Sequence, residues 1–146
     1  MKISEDVINR IQEHLGYNTE EIQEFLKNPR NEDVLSKALL LSTKTIVVEV
    51  VKSHGCNSQL KVGDKIYFDA AGHLLTKLSP KKVCIFALTE IARFVTTINE
   101  LIFAGVDPND MRFKRLGCSD VGLECGGWGH IVMEVKVEDR RKLNIK

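Results

Sequence analysis

Cys56, Cys84, Cys118 and Cys125 are the side chains of this sequence best suited to chemistry, and no two of them form a CxxC pair. The spacings of a zinc ribbon or a thioredoxin-type dithiol are therefore absent, so any shared site must be assembled by the fold. Cys56 lies in SHGCNS, two residues after His54, while Cys118 and Cys125 flank the glycine-broken loop of LGCSDVGLECGGWGH, which ends on His130. Thiols converging from such places suit tetrahedral thiolate coordination of zinc or an iron–sulfur cluster. Cys56, Cys118 and Cys125 are then the primary ligands and Cys84 the fourth, with His54 and His130 in reserve. A second chemistry makes Cys56 or Cys84 a nucleophile or redox centre assisted by His54. A blander reading of Cys84 is a small core filler, because it continues an apolar helical stripe. GGWG reads as a tight approach into the last strand with Trp128 covering one end of the core, and as an anion-binding nest only in second place.

The chain as a whole narrows the field. Its 146 residues suffice for one domain with a real core, so disulfides are not needed for stability. Lys plus Arg number 21 against 20 Asp plus Glu, a balance that argues against a dedicated nucleic-acid or membrane-surface protein. MRFKR and DRRK accordingly read as solvated faces. No apolar run approaches the roughly 20 residues of a membrane span. MKISEDVINRIQ places acids where a signal peptide needs an apolar centre. The expectation is a cytoplasmic protein, in which thiols stay reduced.

Positioning these residues requires an α+β domain: a small, mostly antiparallel sheet packed on one long helix, preceded by a three-helix segment over residues 1–42. In that segment Ser4 caps the first helix and Gly16 stops it, Asn18 with Glu21 forms a capping box, and Asn31 caps the third helix. The segment serves as a helical cap or as a docking module for a protein partner. The cysteine-bearing domain spans residues 45–139, and residues 140–146 form a tail. TIVVEVVK reads as a strand buried on both sides, Lys65 to Phe68 as a second, and HIVMEVKVE as an alternating strand with one solvated face. Between them Ser79 and Pro80 start the long helix and Gly105 ends it, with Cys84, Ala87, Leu88, Ile91, Phe94, Val95, Ile98 and Ile102 along one apolar stripe. Phe86 and Phe103 fall off that stripe and suggest a homodimer. If the first and last strands pair antiparallel, the end of one meets the start of the other. Cys56 then lies near Cys125, His130 and Cys118.

The order VVEVVKSHGCNSQLKVGDKIYF, then KVCIFAL opening a helix, then LGCSDVG before a closing strand resembles a family of small, largely uncharacterised prokaryotic proteins. There a cysteine precedes a KVGD-like turn, a second opens the main helix and a third precedes the last strand. These positions correspond to Cys56, Cys84 and Cys118 over residues 45–138. The sequence departs from the pattern at Ile85, where proline often follows the second cysteine, and in the elaboration that carries Cys125 and GGWG. The resemblance implies that the three separated thiols are one recurring set. The expectation is a small thiolate metal-binding protein with an accessory, electron-transfer or metal-handling role. A small cysteine-dependent enzyme and a non-catalytic interaction module are the alternatives.

Overall fold

The computed structural model describes residues 3–140, and most of the expected tail lies outside them. The chain divides into two compact units between Leu40 and Leu41. The first holds α1 (Glu5–Leu15), α2 (Thr19–Leu26) and most of α3 (Pro29–Thr43). Ser4 occupies the N-cap of α1, although its side chain makes no capping bond, and Gly16 ends the helix in the left-handed conformation. The capping box of α2 forms as the spacing requires: Glu21 N–H donates to Asn18 Oδ1 at 2.9 Å, and Asn18 N–H donates to Glu21 Oε2 at 2.8 Å. Asn31 does not cap α3. The helix already starts at Pro29, Asn28 Oδ1 accepts the Arg30 N–H, and Asn31 Nδ2 donates back to the Phe25 carbonyl at 2.7 Å. Proline at a first helical position loses nothing by lacking an N–H, which is why the start falls there.

The second unit is a four-stranded antiparallel sheet in the order β2-β1-β4-β3, with α4 against it. Its strands are β1 (Lys44–His54), β2 (Lys65–Asp69), β3 (Arg115–Gly117) and β4 (His130–Asp139). Residues Thr45 to Val48 are all buried, so the first half of β1 is covered on both faces. In β4, Ile131, Met133, Val135 and Val137 alternate into the core, where they meet Ile46, Val48 and Val50 of β1. Helix α4 (Ile85–Phe103) completes that core with Ala87, Ile91, Ile98 and Ile102. Among the described residues no helix is long and apolar enough to cross a membrane.

The long helix ends just before Gly105 as expected but departs from expectation at its start. It begins at Ile85, not at Ser79 and Pro80, and Cys84 occupies its N-cap. The Ser79 hydroxyl is engaged elsewhere, accepting the Tyr67 N–H of β2 at 2.9 Å, so it cannot cap the helix. Of the two phenylalanines expected off the stripe, Phe103 at the other end is buried at 8% exposure, whereas Phe86 is 54% exposed. The short strand β3 was not anticipated, since three residues are too few to display a period.

Candidate functional site

The site is built where β1 leaves the sheet and β4 enters it. The two strands pair antiparallel from Lys44 opposite Asp139 to His54 opposite His130, with one register shift between Val50 and Lys52. Beyond that last pair the two chains cross in contact. A Cβ on Gly129 would sit far inside van der Waals distance of the Gly55 carbonyl group and the His54 oxygen. Gly55 itself has φ of 65°, and a Cβ there would come 2.9 Å from the Trp128 oxygen. Two glycines thus make the crossing possible, and the crossing delivers Cys56 to the open end of the β1–β4 pair.

The other thiols arrive from separate elements. Cys118 follows β3, where its N–H donates to the Ile131 carbonyl at 3.1 Å and its Sγ accepts the Ile131 N–H at 3.4 Å. Cys84 comes from the N-cap of α4. The helix start is fastened to the Cys118 segment, because the Ser119 N–H and hydroxyl both donate to the Phe86 carbonyl, at 3.0 and 3.2 Å. Cys56, Cys84 and Cys118, each half-buried, line one cavity of about 110 Å³ together with His130 and Asp120. Leu60 and Ile131 supply apolar wall, and exposed Phe86 and Trp128 stand at the rim.

Four of the six residues singled out from the sequence are therefore brought together, and two are not. Cys125 is exposed in a 3-10 turn over Leu123–Cys125 and does not line the cavity. His54 is exposed opposite His130, and it does not line the cavity with Cys56 and Cys84 either. Trp128, expected to cover the core, is 75% exposed. Among the described residues no group of three or more His, Cys, Asp or Glu side chains is drawn together as ready ligands of one ion.

Asp120 is the residue the sequence did not announce. Its carboxylate accepts N–H bonds from Gly122 at 2.9 Å, Trp128 at 3.3 Å and Gly129 at 3.5 Å. The glycine loop does form a nest of N–H groups, but the anion it holds is the chain's own aspartate. A Cβ at Gly127 would collide with that carboxylate, which accounts for another of the glycines. The signal available was Asp two residues before Gly122, the spacing of a side-chain-closed turn. The backbone carbonyl of Asp120 meets His130 Nδ1 at 2.6 Å, and Cys118 Sγ lies 3.5 Å from the same nitrogen.

The Gly122 N–H, foremost, holds the Asp120 carboxyl below its ordinary value of 3.8 against the loss of surrounding water; the Gly129 and Trp128 N–H groups and the electrostatic attraction of His130 add to the effect. The folded pKa is depressed, so the loop stabilisation is complete above the unfolded value and disappears as pH falls through the lower folded one. Trp128 is the only tryptophan and sits in this loop. In metal-free protein, the part of its pH-dependent fluorescence change that Asp120→Asn abolishes should fall below the ordinary aspartate range. An Asp120-dependent transition centred between pH 5 and 7 would contradict this assignment of the loop anchor.

No family model, curated protein or solved structure matches this chain.

Proposed function

We propose that this chain is a thiolate metal-binding protein, with the sulfurs of Cys56, Cys84 and Cys118 as donors to a zinc ion or an iron–sulfur centre. The observation that carries the proposal is that these three half-buried thiols, from a loop, a helix N-cap and a strand end, line one cavity with His130. All three also pack against the hydrophobic core, as fillers do, but ligands of one metal must share a cavity wall, and these three do. The surroundings suit negatively charged sulfur. Cys84 sits at the positive end of a 19-residue helix, and Cys118 Sγ receives the Ile131 N–H. Because no ready group of ligands is drawn together among the described residues, binding a metal requires these side chains to reorient. Coordination expels the thiol protons and stabilises the folded state. Electron transfer, metal handling and service to a larger enzyme are the roles such a centre fits.

The test is elemental analysis with a visible absorption spectrum of protein purified without oxygen. About one zinc per chain, or iron with matching sulfide and a brown colour, is the expected result. Metal-free protein that takes up neither zinc nor a reconstituted cluster would sink the proposal.

One observation favours a second reading, thiol chemistry without metal. Cys118 Sγ has both a backbone N–H and the His130 ring beside it. Its signature is a single fast-alkylating thiol at Cys118 in protein that binds no metal.

A further inference from the structure

We infer that the rim of the thiol cavity is a self-association surface, covered in solution by the same surface of a second copy of this chain. The inference goes beyond the metal-binding reading and does not depend on it. Five of the eleven large apolar residues exposed among the described residues gather in two short segments. Ile85 and Phe86 stand at the start of α4, and Val121, Leu123 and Trp128 in the glycine loop. Hydrogen bonds stitch the two segments together. Ser119 is fastened to the Phe86 carbonyl, the Trp128 N–H donates to the Asp120 carboxylate, and the Gly127 N–H donates to the Gly122 carbonyl at 2.8 Å. Phe86 and Trp128 both line the cavity, so the patch frames its mouth.

The loop is closed through Asp120, a polar anchor. Closure therefore does not require Val121, Leu123 or Trp128, which remain 63 to 75% exposed. Exposures of this size leave on the order of 700 Å² of the five residues open to water. Monomeric domains rarely present a contiguous apolar patch above a few hundred Å². A standard interface covers about 800 Å² on each partner, so the patch with a few polar neighbours amounts to one half of an interface.

Charge selects a second copy as the occupant. The helix-start side carries exposed Lys81 and Lys82, and the loop side carries exposed Glu124. None of the three is in an ion pair among the described residues. A two-fold axis through the patch exchanges its sides, so each Glu124 meets the lysines of the other copy while the apolar centres pack together. The net charge of +1 sets up no repulsion between copies. For the site the consequence is closure. A second copy seated on Phe86 and Trp128 covers the cavity mouth and screens Cys56, Cys84 and Cys118 from solvent.

The test is sedimentation velocity of the full chain, metal-free with reduced thiols, from low micromolar to a few hundred micromolar. We expect a reversible monomer–dimer equilibrium within that range. Leu123→Glu should weaken association by about 30-fold or more, because it places a charge in the apolar centre. Val106→Glu, also at an exposed position but beyond the far end of α4, should leave association unchanged. Glu124→Lys should weaken it by about 10-fold at low salt, and adding Lys81→Glu with Lys82→Glu should restore it. Alkylation of Cys56, Cys84 and Cys118, followed by mass spectrometry, should slow as the dimer fills. A strict monomer throughout the range leaves the patch to a different partner and overturns the inference. A dimer that Leu123→Glu leaves intact, a charge swap that restores nothing, or cavity thiols that react equally fast in monomer and dimer each overturn it as well. None of these results bears on metal uptake, so the thiolate reading stands or falls separately.

Discussion

Gly129→Ala is expected to lower the melting temperature by about 10 °C or more, corresponding to roughly 3 kcal/mol at this chain length. The added methyl would enter the Gly55 carbonyl group and the His54 oxygen, which are backbone atoms and cannot rotate aside. Relief requires parting the two chains just beyond the His54–His130 pair, and this frays the end of the β1–β4 ladder. Because the same crossing presents Cys56 to the cavity, metal uptake should fall together with stability. Gly126→Ala, in the same loop, is the informative contrast. Nothing lies within 4 Å of its would-be Cβ, so only the left-handed φ of 92° opposes alanine. That cost is about 1–2 kcal/mol and leaves the cavity in place. Circular-dichroism melts of the two variants should differ clearly. Equal melting temperatures would show that the chains do not cross as closely as described.

Cys118→Ser should reduce metal affinity by about 100-fold or more, since a hard hydroxyl replaces one of few soft donors. Cys125→Ser should leave both affinity and spectrum unchanged. The two residues are close in sequence, and any general effect of removing a thiol from this segment would touch both. Their surroundings differ. Cys118 is half-buried on the cavity wall and tied to Ile131 in both directions, whereas Cys125 is exposed and off the wall. Competition of zinc against a chromophoric chelator distinguishes the variants directly. Equal losses for both would place Cys125 in the donor set beside Cys118.

Much of the architecture was legible in the residue order. The α+β class, the two long strands, the capping box at Asn18 and the buried stripe of α4 all follow from local periodicity or from a short-range pair. The pairing of β1 with β4 was legible only as a condition, and the register satisfies it. The helix start was misread for a physical reason. Ser79-Pro80 has the grammar of an N-terminus, but the Ser79 oxygen is taken by the Tyr67 N–H, a contact made across 12 positions. The position of Trp128 was misread too: an isolated aromatic among glycines is usually a cover, yet here the loop is closed by Asp120 and the ring is left at the rim.

For the site, the sequence determined which donors exist: four thiols, no local chelating motif, and glycines where chains must bend or touch. It did not determine which thiols meet. Tertiary structure decided that Cys56, Cys84 and Cys118 share a wall with His130, while Cys125, nearer to His130 in sequence than any of them, stands apart. Periodicity reports only on neighbours within a few residues, because helix and strand are made by local bonds. The meeting of residues 56, 84 and 118 depends on strand register, a helix start and one glycine crossing, and these are properties of the packed chain.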